Sequence, residues 1–123
     1  YNDWFGSKVA LNGDGNVAVI GASLEDSNAK EINGNQEDES ATEAGAAYLF
    51  VRTGTTWKQE AYIKASNTEA YDEFGSSLAI DRSGRTIVVS ARGEDGGGQG
   101  EGGKQTDNSV NEAGAVYAFR ISQ

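Results

Sequence analysis

"FGSKVALNGDGNVAVIGA", residues 5–22, holds the choice on which the fold turns. Two apolar segments flank the quartet Asn12-Gly13-Asp14-Gly15. Asn-Gly and Asp-Gly between apolar runs signal a tight hairpin, because glycine takes positive φ without a side-chain clash. Oxygen-bearing side chains at alternate positions before a glycine can instead open a calcium loop. A hairpin makes the stretch part of a sheet and moves the search for a site elsewhere. A metal loop puts the site here.

The stretch returns 69 residues downstream. "DWFGSKVAL" (3–11) aligns without a gap on "DEFGSSLAI" (72–80), "VAVIGASLED" (17–26) on "TIVVSARGED" (86–95), and "EAGAAYLF" (43–50) on "EAGAVYAF" (112–119). Between residues 3–54 and 72–123, 20 of 52 pairs are identical. A fixed period of this size marks a repeat architecture. Two units follow, 1–71 and 72–123.

Each unit reads as short strands between turns. The first gives strands over 7–11, 17–22, 45–52 and 57–65, with "TGTT" turning between the last two. The second gives 76–80, 86–91 and 113–121 and stops before its fourth strand. No segment shows helical periodicity. "VAVIGA", "TIVVSA" and "GAAYLFV" are nearly continuous apolar runs, which predicts strands covered on both faces. "WKQEAYIKA" is mixed and suits an outer edge. The expected fold is all-β: a β-propeller segment of about two four-stranded antiparallel blades, the second lacking its fourth strand. A two-sheet sandwich is the alternative.

Composition narrows the chemistry. The 123 residues contain no Met, Cys, His or Pro. Beginning at Tyr1, the chain is expected to be a processed product or a piece of a longer polypeptide. Disulfides and thiolate metal sites are excluded, and the usual general base is missing. Acids outnumber bases 19 to 10, so phosphate-bearing partners, nucleic acid and anionic membrane surfaces, would be repelled. No apolar run is long enough to span a bilayer, and no membrane insertion is expected.

Phe5-Gly6, Phe74-Gly75, Gly21-Ala22-Ser23, "GAAYLF", "GAVYAF" and "WKQEAYIKASNTEAYDEFG" (57–75) carry a resemblance to FG-GAP repeats. It covers nearly the whole chain and recurs in both units. In the second unit Ser90-Ala91-Arg92 replaces the Gly-Ala-Pro element, and neither copy has its proline. The resemblance implies a blade of the propeller found in integrin α-chains and in secreted or surface bacterial proteins. Such a ring has about seven blades. It implies adhesion or recognition of a protein or glycan ligand through loops. The remaining blades would come from the parent polypeptide or from further copies of the chain. The chain is accordingly not expected to be a free monomer.

The family's calcium loop follows a D-x-D-x-D-G frame. Set on it, Asn12 and Asp14 fit, but Ala10 stands at the first ligand position and Ala18 at the last acid. The second copy places Arg82 and Arg85 beside the turn. "NGDG" is therefore read as a hairpin turn. Strand order then sends the long loops and the blade connection to the opposite end, with 16 of the 19 acids and, among the bases, Lys30, Arg92 and Lys104. Loops of this length without regular structure are functional or disordered. Glu25/Glu94, Asp26/Asp95, Gln36/Gln105, Asp38/Asp107 and Ser40/Ser109 recur at matched places. One expectation is a calcium ion in each loop, held by Asp26, Asp38 and backbone carbonyls with Asn33 and Asn35 as additions, and by Asp95 and Asp107 in the second unit. The other is that these side chains cap turns. Glu25, Glu94 and Trp4 are candidate ligand contacts.

Other motifs lack their context. "GGGQGEGGKQ" (96–105) contains formal phosphate-cradle patterns, but Gln105 stands where a magnesium-binding hydroxyl belongs and no helix is expected to follow. The acidic pairs Glu25-Asp26 and Glu94-Asp95 recur once per unit, whereas a catalytic pair is normally unique. The expected function is a non-catalytic, extracellular binding module. The alternatives are a secreted polysaccharide-cleaving or phospholipase-like enzyme with its catalytic residues outside this chain, and a purely structural array.

Overall fold

A computed structural model describes residues 2–98 and 100–122. Seven strands form and no helix is present among the described residues: β1 (Phe5–Leu11), β2 (Val17–Ala22), β3 (Ala46–Thr53), β4 (Thr56–Ile63), β5 (Phe74–Ile80), β6 (Thr86–Ala91) and β7 (Ala115–Arg120). They make two antiparallel sheets in simple sequential order, β1-β2-β3-β4 and β5-β6-β7. The strands lie where the turn signals placed them, with ends shifted by a residue or two.

The "NGDG" quartet is a hairpin turn. Asn12 Oδ1 accepts from the backbone N–H groups of Asn16 and Val17, at 3.1 and 3.0 Å, and Asp14 Oδ1 accepts from Asn16 N–H at 2.9 Å. Asp81 repeats the device in the second unit, accepting from Arg85 and Thr86 N–H at 2.8 Å each. Local side-chain acceptors of this kind satisfy turn amides that no ladder reaches.

Phe5 and Phe74 open the first strand of each unit, and the following Gly6 and Gly75 take φ of 89° and 92° at a bulge in the ladder. Gly75 is also a close-approach point: a Cβ there would lie 2.4 Å from the Ala46 carbonyl oxygen.

The two sheets stack with their matching faces in the same order. Val19, Ala47, Leu49, Ala61 and Ile63 of the first sheet pack on Phe74, Ile87 and Val89 of the second, with Leu78, Ile80, Tyr117 and Phe119 alongside. By the 69-residue repeat, Leu78, Val89, Tyr117 and Phe119 correspond to Val9, Ile20, Tyr48 and Phe50. The front of the second blade thus lies on the back of the first. What remains bare is the front of the first blade, with Phe5, Val9 and Leu11 exposed, and the back of the second, with Val88 and Val116 exposed. Those two surfaces are the two halves of the internal interface. The expectation of strands covered on both faces holds for β2, which is buried nearly throughout, and fails for β6, where Val88 faces outward. The reason is that the second blade has a neighbour on one side only.

Candidate functional site

The two long loops and the blade connection come together at one end of the stacked sheets. Tyr71 N–H donates to Thr42 O and Glu73 N–H to Glu43 O, which ties the connection to the first loop. Gly93 N–H donates to Asp72 O, and Asn108 Nδ2 to Glu69 Oε2, which ties the connection to the second. At the other end Gly13 N–H donates to Arg82 O and joins the two hairpin turns. Of the 16 acids expected on the loop end, 15 belong to these segments, and Asp3, on the chain entering β1, joins them through Leu24 N–H donating to its backbone carbonyl.

The repeated Glu-Asp pair anchors each loop. Gly45 N–H donates to Glu25 O and Gly114 N–H to Glu94 O, both at 2.8 Å. Asp26 Oδ1 accepts from Glu43 N–H at 2.7 Å, and Asp95 Oδ1 from Glu112 N–H at 2.6 Å. Glu43 and Glu112 have φ of 53° and 48°, a strained setting that the aspartate bonds help to hold. The Glu-Asp pair therefore closes a 23-residue loop near its neck, and does so in both units.

The other named residues are engaged in the same local way. Asp38 Oδ1 accepts from Asn28 N–H, Ser40 N–H and Ser40 Oγ. These bonds hold its carboxyl down at about 2, the Asn28 amide contributing most. Asp107 Oδ1 accepts from Ser109 N–H, and Asn35 Oδ1 from Glu37 N–H. Asn33 Oδ1 accepts from Tyr62 N–H and fixes the loop along β4. No three acidic side chains among the described residues converge on a point where a metal could sit. Calcium takes about six to eight oxygens, and these are spread over separate turns. In this arrangement each of the six named residues accepts from a backbone amide of its own chain.

Glu25 and Glu94 are not surface groups: both are buried. Glu25 lies among side chains that sequence reading missed. Tyr62 OH donates to Glu25 Oε1 at 2.6 Å and Lys64 Nζ to Oε2 at 2.8 Å. Burial lowers the Lys64 ammonium, opposed by the Glu25 carboxylate. Burial, then Glu25, raises the Tyr62 hydroxyl. The visible signal was the Tyr-x-Lys spacing at the end of a polar strand, which puts both side chains on one face.

Glu94 has a different partner. Asn67 Nδ2 donates to its Oε1 at 2.9 Å, and the same Asn67 accepts from Tyr117 OH at 2.6 Å. Burial raises the Glu94 carboxyl. Beside it, burial pushes Asp72 up to about 6, with the charges of Glu94, Glu69 and Asp95 adding to the rise. Trp4 is exposed, at φ 54°, on the chain entering the first blade. Of the three candidate ligand contacts, only Trp4 presents its side chain to solvent at the loop end.

A family model described as FG-GAP repeat matches residues 1–50 and 57–119. Comparison with curated proteins and with solved structures returned no match.

Proposed function

Since the chain belongs to the FG-GAP repeat family, we propose that it is a non-catalytic segment of an extracellular β-propeller that binds a protein or glycan ligand through its loop end. The observation that carries the reading is the gathering of both long loops and the connection at one end, with their acids. Among them Glu37, Glu39, Glu69, Glu101 and Glu112 are exposed and have few cations beside them. Such a surface favours a ligand with basic or amine-bearing groups and disfavours phosphate-rich ones. The carboxylates and amides within the loops accept from the chain's own backbone, which leaves the outward-facing glutamates for presentation. Trp4 supplies a flat apolar contact at the same end.

The bare front and back of the blade pair support membership of a larger ring. Each would be covered by a further blade stacked as the second is stacked on the first. Binding of the chain to a protein and glycan array, at low and at moderate salt, tests the function. Binding to basic ligands that weakens with salt and with charge-neutral replacement of Glu37, Glu39 and Glu101 is expected. Binding that ignores both changes would overturn the reading.

A further inference from the structure

Asparagine is followed by glycine twice in the chain, at Asn12-Gly13 and at Asn33-Gly34. Such a pair can cyclise, because a glycine amide has no side chain to hinder its attack on the preceding carboxamide. The fold sets the two pairs in different states. Gly13 N–H donates to Arg82 O of the second blade at 3.0 Å, and Asn12 Oδ1 accepts from the Asn16 and Val17 amides. Nucleophile and carboxamide are thus both tied into the turn end. Asn33 and Gly34 are exposed, and no backbone hydrogen bond among the described residues uses Gly34 N–H.

Asn33 also stands where the first long loop is fastened. Residues 31–33 run along the outer edge of β4: Lys64 N–H donates to Glu31 O and Asn33 N–H to Tyr62 O, both at 2.7 Å, and Ile32 bridges Ile63. Tyr62 N–H returns a bond to Asn33 Oδ1 at 3.0 Å. Asn33 makes both contacts from a left-handed backbone, at φ 58°. The bond to Oδ1 has a chemical consequence. When a nucleophile adds to the carboxamide carbon, negative charge gathers on that oxygen, and a donor already aimed at it stabilises the charge.

We propose that Asn33-Gly34 is a site of spontaneous covalent modification that unfastens the first long loop from β4. The Gly34 nitrogen gives its proton to solvent and bonds to Asn33 Cγ. The bond from Cγ to the side-chain nitrogen breaks, and that nitrogen takes a proton from water and leaves as ammonia. Water then opens the five-membered imide. Opening at Cγ leaves an aspartate; opening at the main-chain carbonyl routes the backbone through Cβ, as an isoaspartate. The second product lengthens the main chain by one methylene at the residue that sets the register on β4, so the paired bonds to Tyr62 are lost. Either product adds a carboxylate to an acidic loop. The proposal does not depend on what the loop end binds.

The test uses the unaltered chain, so no variant has to fold. It is held in mildly alkaline buffer, with and without urea, sampled over days and mapped by proteolysis and mass spectrometry at both Asn-Gly pairs. In the folded chain Asn33 should convert at least about tenfold faster than Asn12, and in urea the two should convert at similar rates. The folded isoaspartate fraction, separated by chromatography, should lose hydrogen-exchange protection at the Tyr62 and Lys64 amides while the β1–β2 hairpin keeps its own. Three results would overturn the proposal. One is Asn12 converting as fast as Asn33 in the folded chain. Another is a preference for Asn33 that persists in urea, because local sequence would then set the rates. The third is an isoaspartate chain whose Tyr62 and Lys64 amides stay protected.

Discussion

Lys64 and Glu25 meet at 2.8 Å, with side-chain exposures of 0% and 4%. They lie 39 residues apart and join the residue just after β4 to the neck of the first long loop. Removing one charge of a buried pair strands the other. Lys64→Met is expected to cost about 3–5 kcal/mol in urea unfolding. Adding Glu25→Gln, which can still accept from Tyr62, should recover at least about 1 kcal/mol of that loss. A Lys64→Met chain within about 1 kcal/mol of wild type would show that the pair is not holding the loop.

Phe5 and Phe74 are the same residue of the repeat in two settings. Phe74 is 1% exposed and sits edge-on to Tyr117 and Phe119; Phe5 is 55% exposed and sits edge-on to Tyr48 and Phe50. Phe74→Ala should cost about 3–5 kcal/mol, and Phe5→Ala in this chain about 1 kcal/mol. In any assembly that covers the front of the first blade, the two costs should converge. Equal costs in the isolated chain would mean that the blades are not stacked as described.

Close approach of backbone is the third requirement. A Cβ on Gly45 would lie 2.1 Å from the Phe74 carbonyl oxygen, and Gly45 has φ of 82°. Both steric crowding and left-handed backbone oppose a side chain there. Gly45→Ala is expected to destabilise by about 3 kcal/mol or more, measured by chemical unfolding. A neutral substitution would contradict the parallel bridge between Gly45 and Phe74.

The strands were legible because their signals are local: Asn-Gly, Asp-Gly and Ser-Gly turns between apolar runs, repeated at one period. The gathering of the loops followed from antiparallel order alone. The role of the acids was not legible in the same way. Glu25 looks like a surface charge in "SLEDSN", and nothing within that stretch shows that Tyr62 and Lys64 will bury it. Nor do the six residues expected at calcium show in the sequence that each accepts from a backbone amide. Asp38 meets two amides and a hydroxyl. Ligand type can be read from spacing, but convergence in space depends on long-range folding. Val88 makes the same point for the core: its apolar character was visible, but its exposure depends on which neighbour is present.

Asp26 gives the loop necks a direct test. Its carboxylate accepts from Glu43 N–H, and no metal cluster includes it among the described residues. Asp26→Ala should cost about 1–2 kcal/mol, while Asp26→Asn, which keeps an acceptor, should cost much less. Neither the wild type nor the variants should gain thermal stability on millimolar calcium. A calcium-dependent rise in melting temperature that Asp26→Asn abolishes would restore the metal reading.

Stability should peak on the acid side of neutrality. Burial raises Asp72 to about 6 and raises Glu94, whereas unfolded carboxylates titrate near about 4. Between about pH 4 and 6 the folded chain therefore binds more protons than the unfolded one, and stability falls as pH rises through that window. Below about pH 4 the sign reverses. Asp38 and Asp81 are held at about 2 by the amides and hydroxyls they cap, so stability falls again as they protonate. The formal net charge of −9 at pH 7 adds self-repulsion on the neutral side. Urea unfolding from pH 3 to 8 should give a maximum near pH 4–5. Asp72→Asn keeps an acceptor for the Glu69 amide and removes the charge, so it should flatten the fall between pH 4 and 6 by roughly 2 kcal/mol. A wild-type curve that rises steadily to pH 7 would show that Asp72 is ionised at no cost in the folded chain.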